Sequence, residues 1–306
     1  MNTPSIEDAP LSPSPPVPPE TWTNPRDGSV LRLIPPGEFI MGSTPEQIEA
    51  ARGLDAAGPL HTLGHEGPQW LPSPPAFYLA VFAVTNAQFA RFLNETRTPT
   101  ERFAEWIANP EGLTPPKRGA GDYRVKRGYG RHPVAHITWF GANAYCRWAG
   151  LRLPSEIEWE KGARGPDGRI FPWGDAWCED RVRWYGGDRP DEETTAPVDA
   201  YPEGRSPYDL FQMSGNVDEW CQDYYRPRSY ARYASGDLRP PSTGYGRVVR
   251  GGSCLRRERL VFRCAMRRGN PAAVVNIVYT GFRCARDISA IGARTGAGQD
   301  SAARSP

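Results

Sequence analysis

The sequence predicts a single α+β domain, rich in loops and low in regular secondary structure. Three observations lead there. Glycine (32) and proline (33) are abundant among the 306 residues, so turns interrupt the chain often. Tryptophan (10) and tyrosine (13) are plentiful, and buried aromatic anchors can pin loops where regular elements are scarce. Strand-like alternation and helix-like spacing both occur in short runs, with no repeat and no internal linker.

The elements follow in chain order. Ser29 to Ser43, SVLRLIPPGEFIMGS, alternates apolar and polar residues around a Pro-Pro turn, as strand, turn and strand would. Phe77 to Val84 suits a buried strand. Thr85 or Asn86 can then cap a helix that carries Phe89, Phe92 and Leu93 on one face. Thr98 to Arg131 shows little periodicity and reads as a surface excursion. Thr138 can cap a second helix whose face is Ala142, Tyr145, Cys146 and Ala149, and Gly150 can stop it. Ser155 to Glu158 forms a capping box for a third helix, which ends at Gly165. Turns, aromatics and short strands fill the rest. Residues 1–21 and 288–306 have too few large apolar groups to offset ordering entropy, so disordered tails are expected around a domain of residues 22–287.

Composition excludes some functions. The 37 basic and 35 acidic residues leave a formal charge of +2, without the basic excess of a nucleic-acid binder. No run approaches the roughly 18 apolar residues of a membrane span. The first residues, MNTPSIEDAPLSPSPPVPPE, lack a basic n-region and an apolar h-region, so cytoplasmic localisation is expected. Six cysteines in a chain of this length, with no CxxC, do not form a disulfide scaffold.

Few patterns suggest chemistry. His61 and His65 lie i, i+4, as do His132 and His136, but Gly64, Gly67 and Pro133 disfavour the helix that a zinc pair needs. Structural or surface histidines are expected. In Met213 to Tyr225, MSGNVDEWCQDYY, Asn216 and Glu219 are oxygen donors three apart after a glycine. Calcium takes such mixed oxygen donors, and a capped turn fits the same residues equally well.

Seven blocks occur in order: GEFIMGS, AVTNAQF, HPVAHITWFGANAYCRWAGLRLPSEIEWEKGARG, FPWGD, YDLFQMSGNVDEW, RVVRGGS and GFRCARD. Together, over residues 28–287, the chain resembles the formylglycine-generating enzyme family, also called sulfatase-modifying factors. The resemblance implies a C-type-lectin-like fold in its formylglycine-generating variant. It also implies structural calcium held by the side chains of Asn216 and Glu219 and the carbonyls of Gly215 and Val217. The matching stretch for a second calcium loop, Trp184 to Thr195, fits poorly. A disulfide candidate follows in Cys146 and Cys284, which match a bonded pair in relatives.

Family enzymes oxidise a cysteine in a sulfatase peptide, using copper held by two cysteines beyond the Gly-Gly-Ser turn. Two soft thiolates suit Cu(I). Here the turn is Gly251-Gly252-Ser253, Cys254 follows at once, and the next cysteine is Cys264. Copper is therefore not expected. Cys254 remains the candidate catalytic thiol, since nearby Arg256, Arg257 and Arg259 favour a thiolate, or else a semi-buried filler.

Two branches of the same superfamily differ in chemistry. Iron-dependent sulfoxide synthases carry an H-x3-H-x-E motif, from which HTLGHEG is off by one. The variable proteins of diversity-generating retroelements keep RGGS, RxAxR and GFR as a frame for ligand binding. That frame is present as Arg250 to Ser253, Arg263-Ala265-Arg267 and Gly281-Phe282-Arg283. The expectation is a non-copper member that binds a peptide, protein or small-molecule ligand, with no nucleic acid and no membrane. Its contacts would be Ser253, Arg256, Arg257, Arg259, Asn276 and Tyr279, and the arginines would favour an anionic ligand. The alternative is an oxidoreductase acting on a protein cysteine, with Cys254 as the thiol.

Overall fold

A computed structural model describes residues 19–54, 60–117, 121–187, 194–237, 239–273 and 279–288. Two four-stranded sheets organise the fold. In the first, β1 (Thr21–Thr23), β2 (Val30–Ile34), β3 (Phe77–Ala80) and β10 (Ala285–Asp287) are antiparallel neighbours in that order, which brings the two ends of the domain together. The strand β1 opens at Thr21, the last residue assigned to the tail; residues 1–18 and 289–306 lie outside the described residues.

In the second sheet the order is β8 (Arg267–Asn270), β7 (Arg247–Arg250), β6 (Asp218–Tyr224) and β9 (Thr280–Gly281). All pairs are antiparallel except β6 with β9. This sheet carries the candidate site at the start of β6 and the end of β7.

Helices form where their caps are written. Thr85 caps α3 (Asn86–Glu95) through a capping box with Gln88, and Ser155 caps α6 (Glu156–Arg164) through one with Glu158. Thr138 accepts from Gly141 N–H at the start of α5 (Trp139–Ala149), and Gly150 ends it with φ +71°, a left-handed conformation that costs glycine little. The apolar faces of α3 and α5 meet in the main core, where Phe89 stacks on Tyr145 with ring centroids 5.8 Å apart.

One stretch departs from expectation. Residues 98–131 do not simply cross the surface: they hold α4 (Thr100–Trp106) and a hairpin of β4 (Leu113–Thr114) and β5 (Arg124–Val125). Phe103, Ile107, Leu113 and Tyr123 are buried in the main core. These anchors are spaced too irregularly to show a period, and α4 has no side-chain cap, so local pattern missed them. Conversely, the second strand expected before Ser43 is reduced to an isolated bridge between Met41 and Trp70. The helices α1 (Pro45–Leu54), α2 (Leu60–Leu63) and α7 (Ser229–Ala234) complete the set among the described residues.

Beneath the second sheet lies a buried ionic network. Arg250 bonds Glu156, Glu160 and the Tyr230 hydroxyl, Arg267 holds Glu156 by two bonds, and Arg263 holds Glu66. Each of these arginines is at most 4% exposed, so the RGGS and RxAxR motifs serve the interior and not a surface. Among the described residues, no helix is long and apolar enough to cross a membrane.

Candidate functional site

The site is built on the turn after β7. Gly251 and Gly252 have φ of +94° and +75°, and a Cβ on Gly252 would come within 2.9 Å of the Phe262 ring. Only glycine meets both demands. The turn is then tied to the start of β6: Gly252 N–H donates to Asp218 Oδ1 at 3.1 Å and Cys254 N–H to the Asn216 carbonyl at 3.0 Å.

This geometry turns Cys254 inward. It is 1% exposed and packs among Ala83, Ala135, Val198, Val217 and Tyr279, with no cysteine among those neighbours. Burial pushes its thiol well above the usual cysteine range, and the opposing pull of Arg183 does not offset it. The arginines expected to activate it look elsewhere. The Arg256 guanidinium lies 4.0 Å from Asp218, Arg257 stacks over Tyr185 at 3.7 Å, and Arg259 is exposed at the start of the 3-10 turn Arg259–Phe262. Cys264 sits in a separate cluster with Trp159, Ala163 and Cys221. A Cu(I) ion favours two thiolates, and the cluster around Cys254 offers one thiol.

Ser253, expected among the ligand contacts, lies inside the turn. It is fully buried, and its Oγ has no protein partner. Asn276 lies outside the described residues. Tyr279 is brought into the site, at 8% exposure.

Of the expected calcium residues, Asn216 and Glu219 have side-chain oxygens bonded by protein groups. Asn216, with φ +64°, accepts Ala196 N–H at 2.8 Å on Oδ1, while its Nδ2 donates to the Ala196 carbonyl and to Gln212. Glu219 accepts Trp159 Nε1–H on Oε2 and two bonds from Arg283. A cation at Glu219 would share that carboxylate with the Arg283 guanidinium. Glycine-led turns put donors close together, and here protein groups satisfy them.

Cys146 and Cys284 are brought together, with Sγ atoms 3.5 Å apart and both side chains fully buried. They stand as free thiols in contact. Two histidines serve structural roles: His65 Nδ1 bonds the Tyr225 hydroxyl at 2.6 Å, and His132 Nδ1 bonds Thr195 Oγ1 at 2.9 Å.

Sequence reasoning missed a polar cluster beside Cys254. Glu111 accepts the Thr194 hydroxyl and the Tyr279 phenol. Burial, reinforced by Glu111, holds that phenol protonated well above the ordinary tyrosine range. The His136 ring lies 4.4 Å from the Tyr279 ring, on a backbone with φ +55°, and its buried Nε2 has no protein partner. Burial lowers the His136 pKa, outweighing Glu111, so the imidazole stands neutral. A non-glycine residue held at positive φ beside an orphaned polar atom is a recognised sign of a working site. His136 was visible within HPVAHITW, while Glu111 lies in the aperiodic stretch where no local signal marks it.

Next to this cluster runs an apolar groove of about 400 Å³, lined in part by Val30, Phe82, Ala83, Val84, Arg131 and Val198. Ala83 and Val198 also pack on Cys254, so thiol and groove share a wall. The cluster can exchange hydrogen bonds and the groove can take an apolar body. Among the described residues, no group of three or more His, Cys, Asp or Glu side chains gathers to hold a metal.

Comparison with known proteins places the chain. The Sulfatase-modifying factor enzyme 1-like domain matches residues 17–288. The formylglycine-generating enzyme of Streptomyces coelicolor is 35% identical over 296 residues, covering 83% of this chain and 88% of that protein. Serine/threonine-protein kinase Pkn1 of Chlamydia trachomatis is 39% identical over 263 residues, covering 84% of this chain but only 38% of the kinase. Against the first such relatives, then, the chain spans 33–38% of their length. Among solved structures, PvdO from Pseudomonas aeruginosa superposes with a TM-score of 0.64 at 22% identity, covering 88% of this chain and 98% of its own. The C-type-lectin-like fold expected from the seven blocks is the fold observed, and the chain belongs to the formylglycine-generating enzyme, or sulfatase-modifying factor, family.

Proposed function

We propose that this chain is a non-copper member of the family, which binds a peptide or small molecule in the groove beside Cys254. One observation carries the reading: the only cysteine next to the Gly-Gly-Ser turn is sealed among Ala83, Ala135, Val198, Val217 and Tyr279, with its thiol kept protonated. A nucleophilic cysteine needs the thiolate and an open approach, and burial disfavours both at Cys254. The groove, at about 400 Å³, is in the size range of ligand sites, roughly 300–1,000 Å³. Apolar walls would supply affinity there. Arg131, on the groove's lining, would favour a negative group at the rim.

The test presents purified protein with Cu(I) and a peptide bearing the sulfatase Cys-x-Pro-x-Arg motif, followed by mass spectrometry. The expected result is an unmodified peptide and no stoichiometric copper retained after dialysis. A peptide carrying formylglycine, with the product lost in Cys254→Ala, would overturn the reading in favour of an oxidase.

A further inference from the structure

A second cavity shares no lining residue with the groove beside Cys254. It measures about 140 Å³ and sits between α1, the end of α6 and the aromatic loop that follows. Its walls include Ala51 and Leu54 from α1 and Ile170, Phe171 and Trp177 from the loop, and Arg164 and Arg263 reach it from the network. Phe171 stacks on Trp173 at 5.2 Å and meets Trp177 edge-on at 5.5 Å, so the aromatic wall is rigid.

A dry cavity of roughly 150 Å³ lined by Leu, Ile and Phe holds one benzene ring. This one differs by being polar at selected points. The buried Trp177 Nε1–H and Arg164 Nε–H have no acceptor among the described residues. Native proteins seldom leave a buried donor unpaired, because each costs about 1–3 kcal/mol. The Arg164 Nη1 donates to the carbonyls of Ile40 and Gly42, and its carboxylate partner is a shared one. Its partner Glu160, 3.3 Å away, takes Gly42 N–H on that same oxygen and Arg250 on the other. The acids nearest the cavity are otherwise committed: Glu66 serves Arg263, and Asp175, on the exposed rim, accepts Ile170 N–H.

From two orphaned donors, one of them cationic, over an aromatic pocket of single-ring size, we infer that this cavity binds a small aryl or branched-alkyl monocarboxylate. The ring or branched chain packs on Phe171, Trp177 and Leu54, and the carboxylate accepts from Trp177 and Arg164. This site is independent of the groove beside Cys254, so it stands or falls separately from the proposed function.

The experiment titrates benzoate into the full chain by calorimetry, with benzylammonium and benzene as comparators. The expected result is saturable one-to-one binding, at least tenfold tighter for benzoate than for benzylammonium, and a melting temperature that rises with benzoate concentration. Trp177→Phe, which keeps a ring but removes the N–H, weakens benzoate about tenfold while leaving benzene binding in place. Ala51→Leu fills the cavity and abolishes binding; should that variant not fold, Leu54→Phe fills the same space from a half-buried position. No saturable benzoate binding, equal affinity for benzylammonium, or an unchanged affinity in Trp177→Phe would each overturn the inference.

Discussion

Arg283 grips Glu219 by two parallel bonds, Nε to Oε2 at 2.7 Å and Nη2 to Oε1 at 2.8 Å, with both side chains fully enclosed. The same guanidinium donates to the carbonyls of Ala80, Val81 and Phe211. One side chain thereby bolts the end of β3, the start of β6 and the loop between them. Removing one partner strands a buried charge. Glu219→Leu is expected to lower unfolding stability by about 3–5 kcal/mol, and the pair Glu219→Leu with Arg283→Met to recover much of that loss. Urea denaturation of the single and double variants measures both.

The same grip bears on the expected calcium residues. Arg283 and Trp159 bond Glu219, and Ala196 and Gln212 bond Asn216, so the protein itself satisfies these side chains. The melting temperature is expected to be the same with EDTA as with added calcium. A chelator-sensitive melting temperature whose sensitivity disappears in Asn216→Ala would reinstate the ion.

Burial also writes a pH dependence. Asp223 accepts Glu156 N–H at 2.7 Å, and its carboxyl is pushed up to about 6, first by burial and then by the Glu156 charge. The folded state thus binds this proton more tightly than the unfolded chain, whose carboxyl titrates near 3.8. Stability from this group is greatest at low pH and falls as pH rises from about 4 to 6, by up to about 3 kcal/mol. Asp223→Asn keeps the acceptor but not the charge, so its stability is expected to show a flatter slope in that window. Denaturation at pH 4, 5, 6 and 7 compares the two.

Cys254 is expected to resist alkylation. At pH 8 the native protein should leave it unmodified by iodoacetamide, while the half-buried Cys178 reacts; in urea both should react. Peptide mapping after a timed exposure distinguishes them. Rapid native labelling of Cys254 would mean an open, ionised thiol and would contradict the enclosed geometry.

Much of this molecule could be read without coordinates where the cause is local. Thr85, Thr138 and Ser155 begin helices because a side-chain oxygen meets an N–H three residues on, and Gly150 ends one because it tolerates a positive φ. The family frame was legible too, since its seven blocks are contiguous runs. What local pattern does not carry is who meets whom. Cys254 looked like an activated thiol beside three arginines. Its real neighbours come from positions 83, 135, 198, 217 and 279, while the arginines turn to Asp218, Tyr185 and solvent. Glu111 reached the site only because the aperiodic stretch around it folds into the core. Sequence alone determined the caps, the turns and the kinship, because these depend on residues a few positions apart. Only the tertiary structure decided which polar groups are buried and paired, because desolvation and partner choice are set by segments far apart along the chain.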